Sequence, residues 1–126
     1  MATNYITIED LELNYTQKDF PQKPDGSIDI NLINSAIERA STLIDSKLKT
    51  AGVKFPISAS SIIKLKTTAM SITRYYYSQR NGEMTEWIQK EYKDQLDFLD
   101  QIIVGNFKLD DEATQAGFYN IYFEIN

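Results

Sequence analysis

The stretch from Ile30 to Leu48 constrains the fold of this chain more than any other. Apolar side chains recur there at Ile30, Ile33, Ile37, Ala40, Ile44 and Leu48, in steps of three and four. At about 3.6 residues per turn, those steps draw one stripe down one face of an α-helix. Asp29 is placed as its N-cap, and Gly52 stands where a helix stops, just past Ala51. Such a helix rises about 1.5 Å per residue, giving a rod of about 33 Å.

Two further stripes follow. "VKFPISASS" interrupts the first pattern: Pro56 excludes a continuous helix, and Ser58 or Ser60 can cap the next one. Ile62, Leu65, Ala69, Ile72 and Tyr76 then mark a second helix ending before Asn81-Gly82. A third starts at Thr85 and carries Ile88, Tyr92, Leu96, Leu99 and Ile103 to a stop at Gly105. Near the start, Thr7-Ile8-Glu9-Asp10 has the pattern of a capping box with Asp at its last position, predicting a short helix with Ile8 and Leu11 inward. The expected fold is mainly α: a small bundle of three long helices plus a short N-terminal one. The helical domain takes residues 1–109, and residues 110–126 form a linker and a C-terminal arm.

That arm has a different period. In "GFYNIYFEIN", Tyr119, Ile121, Phe123 and Ile125 alternate with Asn120, Tyr122 and Glu124, as in a β-strand. A lone strand leaves its backbone groups unsatisfied, so it needs an edge to pair with. Within the chain Tyr5–Ile8 is the obvious candidate and is short; the alternative is addition to another chain.

The 126 residues suffice for one domain with a modest core. There is no Cys and no His, which removes disulfides, zinc sites, thiol nucleophiles and histidine acid–base chemistry. Met1-Ala2-Thr3-Asn4 lacks a signal pattern and no apolar run reaches membrane-spanning length, so a soluble protein without membrane association is expected. The net charge of −5 is segregated. From Ser46 to Gly82 there are seven bases (Lys47, Lys49, Lys54, Lys64, Lys66, Arg74, Arg80) and no acid, whereas both flanks are acidic. Either the two signs neutralise each other within one molecule, or a basic face meets an acidic face on a neighbouring copy.

Three constellations invite chemistry. "QKPDGSIDINLI" resembles a calcium loop, with Gly26 as its turn glycine and Asp25 before it. That register puts Pro21, Lys23 and Leu32 where oxygen ligands belong, so a turn leading into a helix is the better reading. Asp94, Asp97 and Asp100 share one helix face beside Lys90 and Lys93, as a solvated surface does. "RYYYSQR" mixes bases and aromatics, as a nucleic-acid surface can. Its three tyrosines span about 200° and its two arginines stand about 120° apart at 100° per residue, so they do not align as a binding stripe. Tyr76 is expected inward, with Arg74, Tyr75, Tyr77 and Arg80 as candidate protein-interface residues alongside Tyr119, Ile121, Phe123 and Ile125. DNA contact through residues 62–80, as in a small helical regulator, is the alternative. Trp87 is expected as a packing anchor. Neither a catalytic motif nor a cofactor motif is present, and no cofactor or metal is expected.

The order of segments resembles a known family. "YITIEDL", "DGSIDINLINSAIERASTLIDSKL", "FPI", "SITRYY" and "YKDQLDFLDQIIVGNFKL" follow one another as in the Mu-like gp36 group of small phage proteins, over roughly residues 5–109. The sequence departs from that group at Ser58–Ser61 and at "SQRNGE". The resemblance implies a head–tail connector adaptor, or head-completion protein, of the virion. Such an adaptor forms a ring of about twelve copies below the portal protein. A tail-side stopper or terminator protein would bind its far face, with DNA passing through the lumen without specific binding. It carries over no catalytic or cofactor residues.

Overall fold

A computed structural model of the chain describes residues 4–81 and 84–103, and these are mainly helical. The helices among the described residues are α1 (Ile8–Asn14), α2 (Ile30–Thr50), α3 (Ala59–Lys64), α4 (Lys66–Asn81) and α5 (Glu86–Ile103). A 3-10 turn at Gln17–Asp19 follows α1. No strand occurs among the described residues, where the extended pairing is one isolated bridge between Gln22 and Ile28. The expected arm strand and its residues Tyr119, Ile121, Phe123 and Ile125 lie outside the described residues.

The helix starts are set by the predicted side chains. Thr7 Oγ1 accepts from the Asp10 amide, and Asp10 Oδ2 accepts from the Thr7 amide at 2.9 Å, closing the capping box of α1. Asp29 Oδ1 accepts from the Leu32 amide at 3.1 Å and caps α2. At the far end Gly52 takes φ +90°, a conformation that costs a residue with a Cβ more than it costs glycine. Asp29→Ala should therefore cost about 1 kcal/mol, measured by urea unfolding. A change below about 0.2 kcal/mol would mean that the cap does not hold the helix.

The second long helix is where the structure corrects the expectation. It is two helices, broken at Leu65, whose amide donates to both Ser61 O (3.2 Å) and Ile62 O (3.0 Å). The ladder tightens there to an i→i+3 bond, and Leu65 is fully buried. No proline or glycine marks the break, so hydrophobic spacing runs straight through it. Ser58 does cap the first piece, accepting from the Ser61 amide.

α4 packs against both α2 and α5, which touch each other less. Ile33, Ile37, Ala40, Ile44 and Leu48 of α2 are all buried, as are Leu65, Ala69, Ile72, Tyr76, Leu99 and Ile102. The predicted stripe of α2 fails at its first member: Ile30 is 52% exposed, beyond the end of the core. On α5 the deepest residues are Ile88, Leu99 and Ile102, with Tyr92, Leu96 and Ile103 half-buried. Trp87 is not a packing anchor in the described part of the molecule; it is 61% exposed, because Ile88 takes the inward position. The expected pairing of Tyr5–Ile8 with the arm involves residues outside the described ones. Tyr5 and Ile6 are buried, and the Tyr5 hydroxyl donates to the buried carboxylate of Asp45 at 2.6 Å. No described helix is long and apolar enough to cross a membrane.

Candidate functional site

The segregated charges meet inside the chain. Lys47 pairs with Asp100 at 3.4 Å and Lys66 with Asp10 at 3.2 Å. Arg74 reaches Asp19 at 3.4 Å and Glu91 at 3.5 Å. Each pair joins a base of the middle stretch to an acid of one flank. Asp10 is held below the usual carboxylate range, first by the Thr7 amide and then by Lys66. A carboxylate with a lowered folded pKa adds stability above its unfolded value, near pH 4, and loses it as pH falls through the folded value. Thermal melts from pH 7 to pH 2 should therefore show a smaller acid-induced loss in Asp10→Asn than in the unsubstituted chain. Parallel acid limbs would contradict this.

The "RYYYSQR" stretch lies on α4, and the structure separates its members. Tyr76 and Tyr77 are both buried, because α4 has α2 on one side and α5 on the other. Tyr77 meets Phe20 edge-on, with centroids 6.1 Å apart, and so belongs to the core rather than to a surface that a partner could touch. Arg74 has its guanidinium between Asp19 and Glu91 and 4.5 Å from the Tyr15 ring centre. Its charge is spent within the molecule. Tyr75 is half-buried and stacks on Tyr92 at 3.8 Å. Arg80 is exposed.

Burial and the neighbouring Tyr92 push the Tyr76 hydroxyl up to about 12, and burial likewise raises Tyr77. Both rings are therefore neutral and act by packing. The Tyr77 hydroxyl has no hydrogen-bond partner among the described residues. Tyr77→Phe removes that oxygen without changing the ring, so it should leave stability unchanged or raise it by up to about 1 kcal/mol. A loss above about 1 kcal/mol in urea unfolding would reveal a hidden partner such as a buried water.

One residue that the sequence did not single out joins Arg80. Arg39, on the exposed side of α2, lays its guanidinium over the Tyr76 ring, 4.1 Å from the centroid. Arg39 and Arg80, with Leu32, Ser35, Ala36 and Tyr76, line one small cavity of about 30 Å³ between α2 and α4. Neither arginine is paired with a carboxylate among the described residues. Arg39 escaped notice because it stands alone among acids and small polar residues in the sequence. Its relation to Arg80 exists only once α2 and α4 pack antiparallel.

The other constellations are structural. Asp25 accepts from the Ser27 amide and hydroxyl at 2.9 and 2.6 Å, and Gly26 turns the loop with φ +90°. The loop residues thus hold a turn, as the ligand spacing implied. Asp94, Asp97 and Asp100 are exposed, with Lys90 bridging to Asp94 at 2.9 Å. Among the described residues no three His, Cys, Asp or Glu side chains are grouped to hold a metal ion. A cleft of about 570 Å³ runs beside Tyr5, Thr7 and Asn34, and two of its charged residues, Asp10 and Lys66, pair with each other.

Together these residues make a small helical bundle whose middle-stretch bases Lys47, Lys66 and Arg74 are matched within the chain and whose Arg39 and Arg80 border one cavity. The chain belongs to the bacteriophage Mu Gp36 family, whose model matches residues 5–118, and it is a Mu-like phage protein. Among curated proteins no match was found.

Proposed function

We propose that this chain is a structural assembly protein of the virion, a head–tail connector adaptor that forms a ring below the portal and links it to tail-side proteins. The observation that carries this is the family match over residues 5–118, across nearly the whole chain. The surface agrees with it physically. An adaptor works through faces that other chains cover, and the exposed Arg39 and Arg80 have no carboxylate partner among the described residues. Its place is the head–tail junction, and its chemistry is binding rather than catalysis.

The DNA-regulator reading of residues 62–80 loses support from the geometry. Lys66 and Arg74 are neutralised by Asp10, Asp19 and Glu91, and Tyr76 and Tyr77 are buried. With Lys66 and Arg74 already matched and only Arg80 of the bases on α4 left without a carboxylate partner among the described residues, the helix releases few ions from DNA, and the net charge of −5 repels it further. The test is to co-express the chain with the portal protein of its own phage and purify the portal. Co-elution of the chain with the portal ring is the expected result. Failure to co-elute, together with salt-sensitive binding of duplex DNA, would overturn the proposal in favour of the regulator.

A further inference from the structure

Arg39 and Arg80 border one cavity without a carboxylate partner among the described residues, whereas Lys47, Lys66 and Arg74 are each matched to specific acids. Two like charges bordering one cavity favour an anion beside them. The geometry suits a carboxylate. The Tyr76 ring holds the Arg39 guanidinium 4.1 Å from its centre, and a guanidinium fork can grip the two oxygens of a carboxylate at once. Arg80 stands on the opposite wall of the same cavity, and the Ser35 hydroxyl adds a donor.

The chain itself offers the complement. Asp94 and Asp97 are exposed on α5, three residues apart, which sets their side chains about 5–6 Å from each other. Asp97 has no ion-pair partner among the described residues, and the Lys90–Asp94 bridge is an exposed pair of the kind that yields easily. Both helices border α4, with the groove on its α2 side and the acids on its α5 neighbour. A contact from the groove of one copy to α5 of the next joins two different surfaces, and such heterologous contacts generate rings when the rotation closes.

We infer that the Arg39–Arg80 groove is the self-association site of this chain and receives the Asp94–Asp97 face of a second copy. This rests on the adaptor reading and gives its ring a specific contact.

The test is a charge exchange on the full chain, read by sedimentation alone and in the presence of the portal ring. The R39E/R80E variant places acid against acid, and the D94K/D97K variant places base against base. All four positions are exposed, so both variants should keep the helical circular dichroism and melting temperature of the unsubstituted chain. Each variant alone should self-associate about a hundredfold more weakly than the unsubstituted chain. An equimolar mixture should recover association, because the two then alternate with every contact complementary. Unimpaired association of either variant alone, or a mixture that stays dispersed, overturns the inference while leaving portal binding intact. A chain that binds neither itself nor the portal overturns both proposals. Loss of duplex-DNA binding in R39E/R80E, without loss of self-association, would make the groove a phosphate site and also overturn the inference.

Discussion

Replacing Arg74 with methionine is expected to lower stability by about 2–4 kcal/mol, near the lower part of the range for breaking a desolvated ion pair. The arginine side chain is 13% exposed, and its two acids, Asp19 and Glu91, are 39% and 27% exposed. Methionine retains the stem packed near Tyr15 but leaves both carboxylates facing a void of charge. Their partial access to water keeps the cost below that of a fully buried pair. Asp19 belongs to the turn after α1 and Glu91 to α5, so Arg74 ties three parts of the chain together. Combining Arg74→Met with Glu91→Gln should cost less than the sum of the two, because the second change removes an acid that the first had orphaned. Urea unfolding of the three variants measures this, and strict additivity would show that the pair is not coupled.

The Ile44→Ala substitution should be as severe for an unrelated reason. Ile44 is fully buried midway along α2, where the helix faces the rest of the core. Truncation removes apolar contact and leaves a cavity that neighbouring residues fill only in part, at about 2–5 kcal/mol. At about 4 °C per kcal/mol for a domain of this size, the melting temperature should fall by about 8–20 °C. Ile30→Ala supplies the contrast, since Ile30 is 52% exposed and its loss should stay within about 0.5 kcal/mol. Equal effects at the two positions would mean that the periodic stripe, rather than its burial, governs stability.

Much of this fold was legible because it is encoded locally. The caps at Thr7, Asp29 and Ser58 and the stop at Gly52 act within a few residues, so their residue types announce them. The α2 stripe was equally plain, since that helix buries one face and exposes the other. α4 was harder because its buried arc is wide and partly polar. Thr68, Ser71, Thr73 and Ser78 are buried along with Tyr76 and Tyr77, so residues that read as surface face inward. Thr68 shows how this is tolerated, donating to Gln95 Oε1 on α5 at 2.7 Å. The break at Leu65 left no trace in residue type. The charge segregation was visible, but which bases meet which acids depends on packing between residues about 50 positions apart, as for Lys47 with Asp100 and Lys66 with Asp10. Arg39 is the same lesson at the groove, where a site assembled from two helices has no signature in either one.

The central claim is that this chain acts as the joint between a phage head and its tail. Disrupting its gene in the parent phage and imaging the lysate tests that directly. The account predicts assembled heads and complete tails that remain unjoined, with infectious particles restored when the purified protein is added to the extract. Normal virions in the disrupted strain, or a block before heads form that added protein does not relieve, would contradict it.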